Sequence, residues 1–214
     1  SYFEIDNQLR NFVKDCDVII HLAALNRHGD PLVIYDTNIK LVKQLIKVLE
    51  ETSKQIHVLF SSSTQEERDN LYGKSKHDGR LLFEQWAEQN NGRFTGFVIP
   101  NVFGPFGNPF YNSVIATFCH QLTHNEQPKI VIDADLQLIY VHELVELFYQ
   151  KIKSPSEGSG IVRYNVQFTS ENKVSEILLL LENYKKVYFE ENCLPELNSK
   201  FELNLFNTFR SYLD

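Results

Sequence analysis

Tyr72 and Lys76 stand four residues apart in Tyr72-Gly-Lys-Ser-Lys76, so on a helix they share one face. A lysine ammonium beside a phenol favours the phenolate and draws the tyrosine pKa down from its ordinary value of about 10. Such a tyrosine can give a proton to, or take one from, an alcohol or ketone oxygen near neutrality. Just upstream, Phe60-Ser-Ser-Ser63 supplies hydroxyls that can hold the same oxygen. A serine run alone is an ordinary strand-to-loop transition. The order of strand, three serines, short loop and tyrosine at a helix start is what points to proton transfer. The spacing recurs at Tyr149 and Lys153. No serine-ended strand precedes that copy, and it reads as a pair on a helix surface.

The elements that must position these groups can be read from hydrophobic period. Asp17-Val-Ile-Ile-His-Leu-Ala-Ala24 is a β-branched apolar run without alternation, the pattern of a strand buried on both faces of a parallel sheet. Its terminal small residues allow a close backbone approach. A helix is expected before it over Ile5 to Val13. Another follows from Thr37 to Glu51, with Ile39, Val42, Leu45, Ile46 and Leu49 on one face. A second strand runs from Ile56 to Phe60 and ends in the serines. A helix then spans Tyr72 to Gln89 with Leu81, Leu82, Phe83, Trp86 and Ala87 inward. A third strand, Phe94 to Ile99, leads into Pro100-Asn-Val-Phe-Gly-Pro105, which could be only a turn but whose place at a strand end points to a functional stretch.

The second half is less regular. Helices are expected over Tyr111 to His124, His142 to Ile152, Val174 to Asn183 and Phe201 to Leu213. Short strands are expected at Lys129 to Ile132 and Ile161 to Val166, with a loop over Lys153 to Gly160. Strand, helix, strand, helix, strand with long crossovers implies an α/β fold, a doubly wound parallel sheet of Rossmann-like type with an irregular C-terminal portion. Residues 1–214 read as one domain. In such sheets the ligand sits beyond the carboxyl ends of the strands, where His21 to Ala24, the serines and Pro100 to Pro105 fall. His21 reads as a satisfied core histidine, and Asn38 by itself as a helix-start residue.

Composition excludes several classes. The chain has 214 residues, 43% hydrophobic, with a formal charge of −7. The apolar fraction is ample for a core, and the acidic balance argues against a nucleic-acid partner, which needs clustered Lys and Arg. No apolar run approaches the roughly 18 residues of a membrane span. Cys16, Cys119 and Cys193 are too widely spaced for a metal pattern and fit reduced thiols in a cytoplasmic protein. His120 and His124 have the spacing of helical metal ligands, but Gln121 stands where a zinc protease carries glutamate. No metal is expected.

His21-Leu-Ala-Ala24, Asn38, Phe60-Ser-Ser-Ser63, Tyr72-Gly-Lys-Ser-Lys76 and Asn101-Val-Phe-Gly-Pro105 together resemble the extended short-chain dehydrogenase/reductase family, which includes NAD-dependent nucleotide-sugar epimerases and dehydratases. Leu25-Asn-Arg27, Ser62-Ser-Thr-Gln65, Asp69-Asn-Leu-Tyr-Gly73 and Tyr111 to His120 resemble, more narrowly, the reductase domain of CapF-type capsular polysaccharide proteins, where a cupin domain follows. The resemblance implies Tyr72 as general acid/base and Lys76 as the residue that binds the nicotinamide ribose and tunes Tyr72. It implies Ser63 as the hydroxyl holding the substrate oxygen, with Ser62 or Thr64 as fallbacks, and Asn38 as support for a proton path. Leu22, Ala23, Ala24 and Ser61 would line the cofactor, with Pro100, Asn101 and Val102 at its nicotinamide end. Thr64, Asn101 and Asn112 would meet the substrate, and the substrate-binding portion would lie mainly in 106–137 and 155–214.

The implied reaction is NAD(P)H-dependent reduction of the C4 ketone of a UDP-linked 6-deoxy-N-acetylhexosamine, in capsule or O-antigen precursor synthesis. The cofactor would be NAD or NADP, with NADP favoured. A same-family epimerase or dehydratase is the rival. A non-catalytic dinucleotide-binding or scaffold module is the rival of another class. The resemblance also suggests a homodimer through the helices carrying Asn38 and Tyr72.

Two departures stand out. The arginine that many sugar epimerases carry before Val-Asp-Asp is absent from Leu136-Gln-Leu-Ile-Tyr-Val-His-Glu143. The family also opens with a strand and a glycine-rich turn that receives the cofactor pyrophosphate. Such a unit needs roughly 30 residues, and the short stretch before Asp17 cannot hold it. With no methionine at position 1 or elsewhere, the chain reads as lacking that first strand and turn.

Overall fold

The computed structural model describes Phe3 and residues 6–52, 55–153 and 160–213. In chain order the elements are α1 (Asp6–Lys14), β1 (Val18–His21), α2 (Pro31–Glu50), β2 (His57–Ser63), a 3-10 turn (Thr64–Glu67), α3 (Leu71–Asn90), β3 (Arg93–Ile99), β4 (Asn101–Phe103), α4 (Val114–Thr123), β5 (Asp135–Tyr140), α5 (Val141–Lys153), β6 (Ile161–Asn165), β7 (Ser170–Lys173), α6 (Val174–Tyr184), a π-helical turn (Lys185–Glu190) and α7 (Lys200–Arg210). They form two compact units, one of residues 1–99 and 148–166, the other of residues 100–147 and 167–214.

The first unit holds a four-stranded parallel sheet in the order β1-β2-β3-β6. One face packs on α1, α2 and α3 through Val13, Val42, Leu45, Val58, Phe60, Phe83 and Phe94, all buried. On α2, Val42, Leu45 and Leu49 are buried as expected, whereas Ile39 and Ile46 are half-buried. On α3, Phe83, Trp86 and Ala87 face the core, but Leu81 is 44% exposed. From the other face, Phe97 of β3 stacks on Phe148 of α5 at 4.1 Å. A helix therefore covers the second face at β3, whereas at the β1 edge Ile20 remains 43% exposed. Asp30 caps α2 by accepting from the Leu32 amide at 2.9 Å, with Pro31 at the first helical position.

The second unit has a three-stranded sheet, β4-β5-β7, with β5 parallel to β4 and antiparallel to β7. Phe103, Leu138 and Tyr140 pack with α4, α6 and α7 around a core that includes Ile115, Ile177, Leu181, Tyr184 and Phe206.

Several expectations need correction. Lys129 to Ile132 is irregular; the strand lies at Asp135–Tyr140, where Leu138 and Tyr140 alternate into the core. Ser61 to Ser63 belong to β2, because pairing with β3 continues to Ser63 opposite Ile99. The stretch after Pro100 begins with β4 rather than a turn. Helix α4 begins only at Val114, capped by Ser113, whose side chain accepts from the Ala116 amide. Ile5 and most of the expected loop, residues 154–159, lie outside the described residues.

Candidate active site

The C-terminal end of β2, the 3-10 turn and the first turns of α3 bring the motif together. Asn70 starts α3: its Oδ1 accepts from the Gly73 amide at 2.7 Å. Tyr72, half-buried, is in the first turn, and Lys76 follows one turn later. Lysine is almost never buried without a partner, yet Lys76 is 4% exposed. Its Nζ donates to the Ser61 carbonyl oxygen at 2.9 Å. It also lies 5.1 Å from the Phe60 ring centroid and 5.8 Å from that of Tyr72. Burial draws the Lys76 pKa down to about 8, against the Glu66 carboxylate, which pulls it up. The motif spacing thus delivers an ammonium next to a phenol ring, with most of its donor capacity unspent.

The three serines do different things. The Ser61 hydroxyl donates to the His21 carbonyl oxygen at 3.3 Å, tying β2 to the end of β1. The Ser62 hydroxyl donates to the Glu66 carboxylate. Ser63 caps the 3-10 turn, accepting from the Gln65 amide at 3.2 Å. Thr64, the first residue of that turn, is exposed.

Asn38 is buried in the middle of α2 rather than at its start. Its Oδ1 accepts from the Leu25 amide at 2.6 Å, and its Nδ2 donates to the Leu25 carbonyl and the Ser75 hydroxyl, both at 2.9 Å. Ser75 in turn donates to the Tyr72 carbonyl at 2.7 Å. One amide therefore fixes the segment after β1 to the turn of helix that carries Tyr72.

His21 is buried between Phe60, stacked at 5.7 Å, and Phe83, edge-on at 5.6 Å. It is a core histidine, but not a satisfied one: its Nε2 has no hydrogen-bond partner among the described residues. Burial, then the Lys76 charge, pushes its pKa down to about 4. Beyond it Leu22 and Ala23 are exposed and Ala24 half-buried.

Pro100, Asn101, Val102 and Asn112 belong to the second unit. There Pro100 is buried, Asn101, Val102 and Asn112 are exposed, and Asn101 donates to the Gln137 carbonyl at 3.0 Å. Tyr149 and Lys153 form the surface pair expected of them, with Nζ 4.7 Å from the ring of a tyrosine that is half exposed. The His120 and His124 rings lie 3.9 Å apart, tilted by 31°, and the His124 Nδ1 donates to the His120 carbonyl. Among the described residues no group of three or more His, Cys, Asp or Glu side chains is gathered for a metal.

Three residues escaped the sequence reading. A Cβ on Gly73 would overlap the Gln65 carbonyl oxygen, so glycine is what lets α3 approach the turn headed by Ser63. Glu66 and Arg80 form a buried ion pair linking the same two elements. Opposite charges flanking the motif were visible in the sequence, but their burial was not.

The residues at this end of the sheet suit a nicotinamide dinucleotide. The buried ammonium of Lys76 has one hydrogen-bond acceptor among the described residues, the Ser61 carbonyl. That leaves protons for paired ribose hydroxyls, and the alanines after β1 put little bulk in the way.

Residues 4–166 match the NAD dependent epimerase/dehydratase family. The chain is 28% identical over 207 residues to a UDP-2-acetamido-2,6-beta-L-arabino-hexul-4-ose reductase of Pseudomonas aeruginosa, an alignment covering 96% of this chain and 55% of that protein. The capsular polysaccharide assembling protein CapF from Staphylococcus aureus superposes with a TM-score of 0.81 at 31% identity, covering 97% of this chain and 55% of that one. RMD from Pseudomonas aeruginosa, complexed with NADPH, shares the fold at a TM-score of 0.80 and 18% identity, over 98% of this chain and 86% of that one. The chain thus spans about half the length of the curated relative it matches.

Proposed function

The chain belongs to the NAD dependent epimerase/dehydratase family, and from that premise we propose that it is a nucleotide-sugar ketone reductase. Its substrate is a UDP-linked 4-keto-6-deoxy-N-acetylhexosamine, and its setting is capsule or O-antigen precursor synthesis. The observation that carries the reading is the buried ammonium of Lys76, held by the Ser61 carbonyl beside the Tyr72 ring. The similarity to a hexul-4-ose reductase supports the choice of ketone.

A bound reduced nicotinamide, NADH or NADPH, supplies the hydride. The chain's residues manage the proton and the geometry. Ser63 holds the C4 oxygen, and Tyr72 gives its phenolic proton to that oxygen as negative charge develops on it. The Lys76 ammonium stabilises the phenolate left behind and binds the nicotinamide ribose. Asn38 holds the first turns of α3 through Ser75, so that Tyr72 keeps its place and protons can be replenished. Leu22, Ala23, Ala24 and Ser61 line the cofactor. Pro100, Asn101 and Val102 meet its nicotinamide end, and Thr64, Asn101 and Asn112 contact the nucleotide sugar. Two copies associate through α2 and α3, and the protein works in the cytoplasm.

The test is an assay of the protein with UDP-4-keto-6-deoxy-N-acetylhexosamine and either reduced cofactor, NADPH first. Stoichiometric loss of absorbance at the reduced nicotinamide band, with a 4-hydroxy sugar as product, is expected. Interconversion of sugars without net cofactor consumption would instead make it an epimerase or dehydratase. Cofactor binding without turnover on any keto sugar would leave a binding module.

A further inference from the structure

One buried ionic cluster has no part in the chemistry above. Glu66 lies three residues after Ser63, in the 3-10 turn, and its side chain is 1% exposed. Arg80, one turn after Lys76 on α3, grips it as a fork: Nε is 3.0 and 3.2 Å from the two carboxylate oxygens, and Nη2 is 2.9 Å from one of them. The remaining Arg80 nitrogen, Nη1, donates to Glu84 at 2.6 Å. Ser62 donates to the same Glu66 carboxylate, and Arg163 of β6 stands 3.8 Å from it. Gly96 of β3 makes room for the arginine stem: a Cβ there would come within 2.8 Å of Arg80 Cδ.

Stability is a poor reason for such a pair. Two buried charges lose their hydration, and apolar residues of similar volume often do as well or better. What the pair does have is direction. A guanidinium fork on a carboxylate is planar and bidentate, and sets rotation as well as distance. It joins the two elements that carry the proposed site, the turn headed by Ser63 and the helix of Tyr72 and Lys76.

We propose that Glu66 and Arg80 are a positioning pair, which fixes the turn of Ser63 against the helix of Tyr72 and Lys76 and whose carboxylate favours the Lys76 ammonium. The proposal rests on the roles assigned above to Ser63, Tyr72 and Lys76. The groups around Lys76 agree with it. From β2 come the Ser61 carbonyl and the Phe60 ring, from α3 the Tyr72 ring, from β1 the buried His21, and from the 3-10 turn the Glu66 carboxylate. Of these, Glu66 is the one that favours the ammonium by its charge.

Lys76 titration, followed by NMR of ¹⁵N-labelled lysine side chains, tests the charge without reference to activity. In Glu66→Gln, which keeps shape and removes charge, the Lys76 midpoint should fall below that of the wild type. Arg80→Lys keeps the charge and removes the fork. It should leave that midpoint nearly in place, yet lower kcat by about tenfold or more with KM changed by less than about threefold. The double variant Glu66→Met/Arg80→Met guards against misfolding, since it removes both buried charges together and leaves only the partly exposed Glu84 without its arginine. It should melt no lower than wild type and still lose kcat. Full kcat in the folded double variant, or an unmoved Lys76 midpoint in Glu66→Gln, overturns the proposal. Absence of reductase turnover in the wild type would instead overturn the functional reading, and the Lys76 titration would still decide the charge.

Discussion

At the scale of single residues, Tyr72→Phe separates chemistry from packing. Losing one hydroxyl leaves the ring in place but removes the proton donor as the alkoxide forms. General acid catalysis is worth roughly 10²–10⁴-fold, so kcat should fall by about that factor while KM moves far less. Tyr149→Phe is the control, with the same spacing to a lysine but an exposed surface position; its kinetics should match wild type. His21 makes a second prediction. Its folded pKa is about 4 against an ordinary 6.5, so between those values the unfolded chain binds the proton and the folded chain does not. The stability His21 confers is complete above about pH 6.5 and is lost as pH falls toward 4, by up to about 3 kcal/mol. His57, also lowered to about 4 by burial and then by Arg93, acts in the same direction. His21→Phe keeps a ring between Phe60 and Phe83, and urea unfolding should show a shallower loss of stability between pH 6.5 and 4.5. An unchanged slope would mean that His21 is protonated in the folded protein.

At the scale of elements, the approach of the 3-10 turn to α3 decides the site. Gly73→Ala should raise helix propensity by about 1 kcal/mol, but the added Cβ overlaps the Gln65 carbonyl. Backbone cannot yield as a flexible side chain can, so overlap should win. A net destabilisation of about 1–3 kcal/mol is expected in urea unfolding, with kcat reduced because Tyr72 moves away from Ser63. A variant as stable and active as wild type would refute this. The elements legible in the sequence were those with a strong period or an uninterrupted apolar run: α1, β1, β2, β3, α3, α5, β6, α6 and α7, and α2 apart from its first turns, since it starts at Pro31 rather than Thr37. Ser170–Lys173 was not, because a polar antiparallel edge strand acquires its state from its partner β5. Lys129 to Ile132 misled for the opposite reason. It is β-branched and apolar, yet Val131 and Ile132 remain exposed, at 87% and 74%, with no strand beside them.

At the scale of the whole molecule, the chain passes between its two units after Ile99, Leu147 and Val166. No helix among the described residues is long and apolar enough to cross a membrane. The proposed dimer places α2 and α3 against their counterparts in a second copy. Leu32 and Val33 on α2 and Leu81 on α3 are apolar and exposed, while Lys40, Lys43 and Lys47 run along α2 and Glu88 stands on α3. The proposal places these exposed apolar side chains in the pairing of the two copies. Light scattering should give twice the chain mass for wild type and the chain mass for Leu81→Glu. A monomeric wild type would refute the pairing.

The sequence by itself determined the parallel α/β order, the Tyr72 and Lys76 face and its link to the serines, because periodicity and short-range spacing are properties of neighbouring residues. It also carried the family, in motifs spread from His21 to Pro105. Only the tertiary structure decided which serine does what, since pairing of β2 with β3 sets the alternation that engages Ser62 with Glu66. Only it revealed that Lys76, Glu66 and Arg80 are buried, that Asn38 lies in mid-helix, and that Gly73 is where α3 meets the Gln65 carbonyl. Burial and cross-element distance depend on residues remote in the chain, and no local pattern records them.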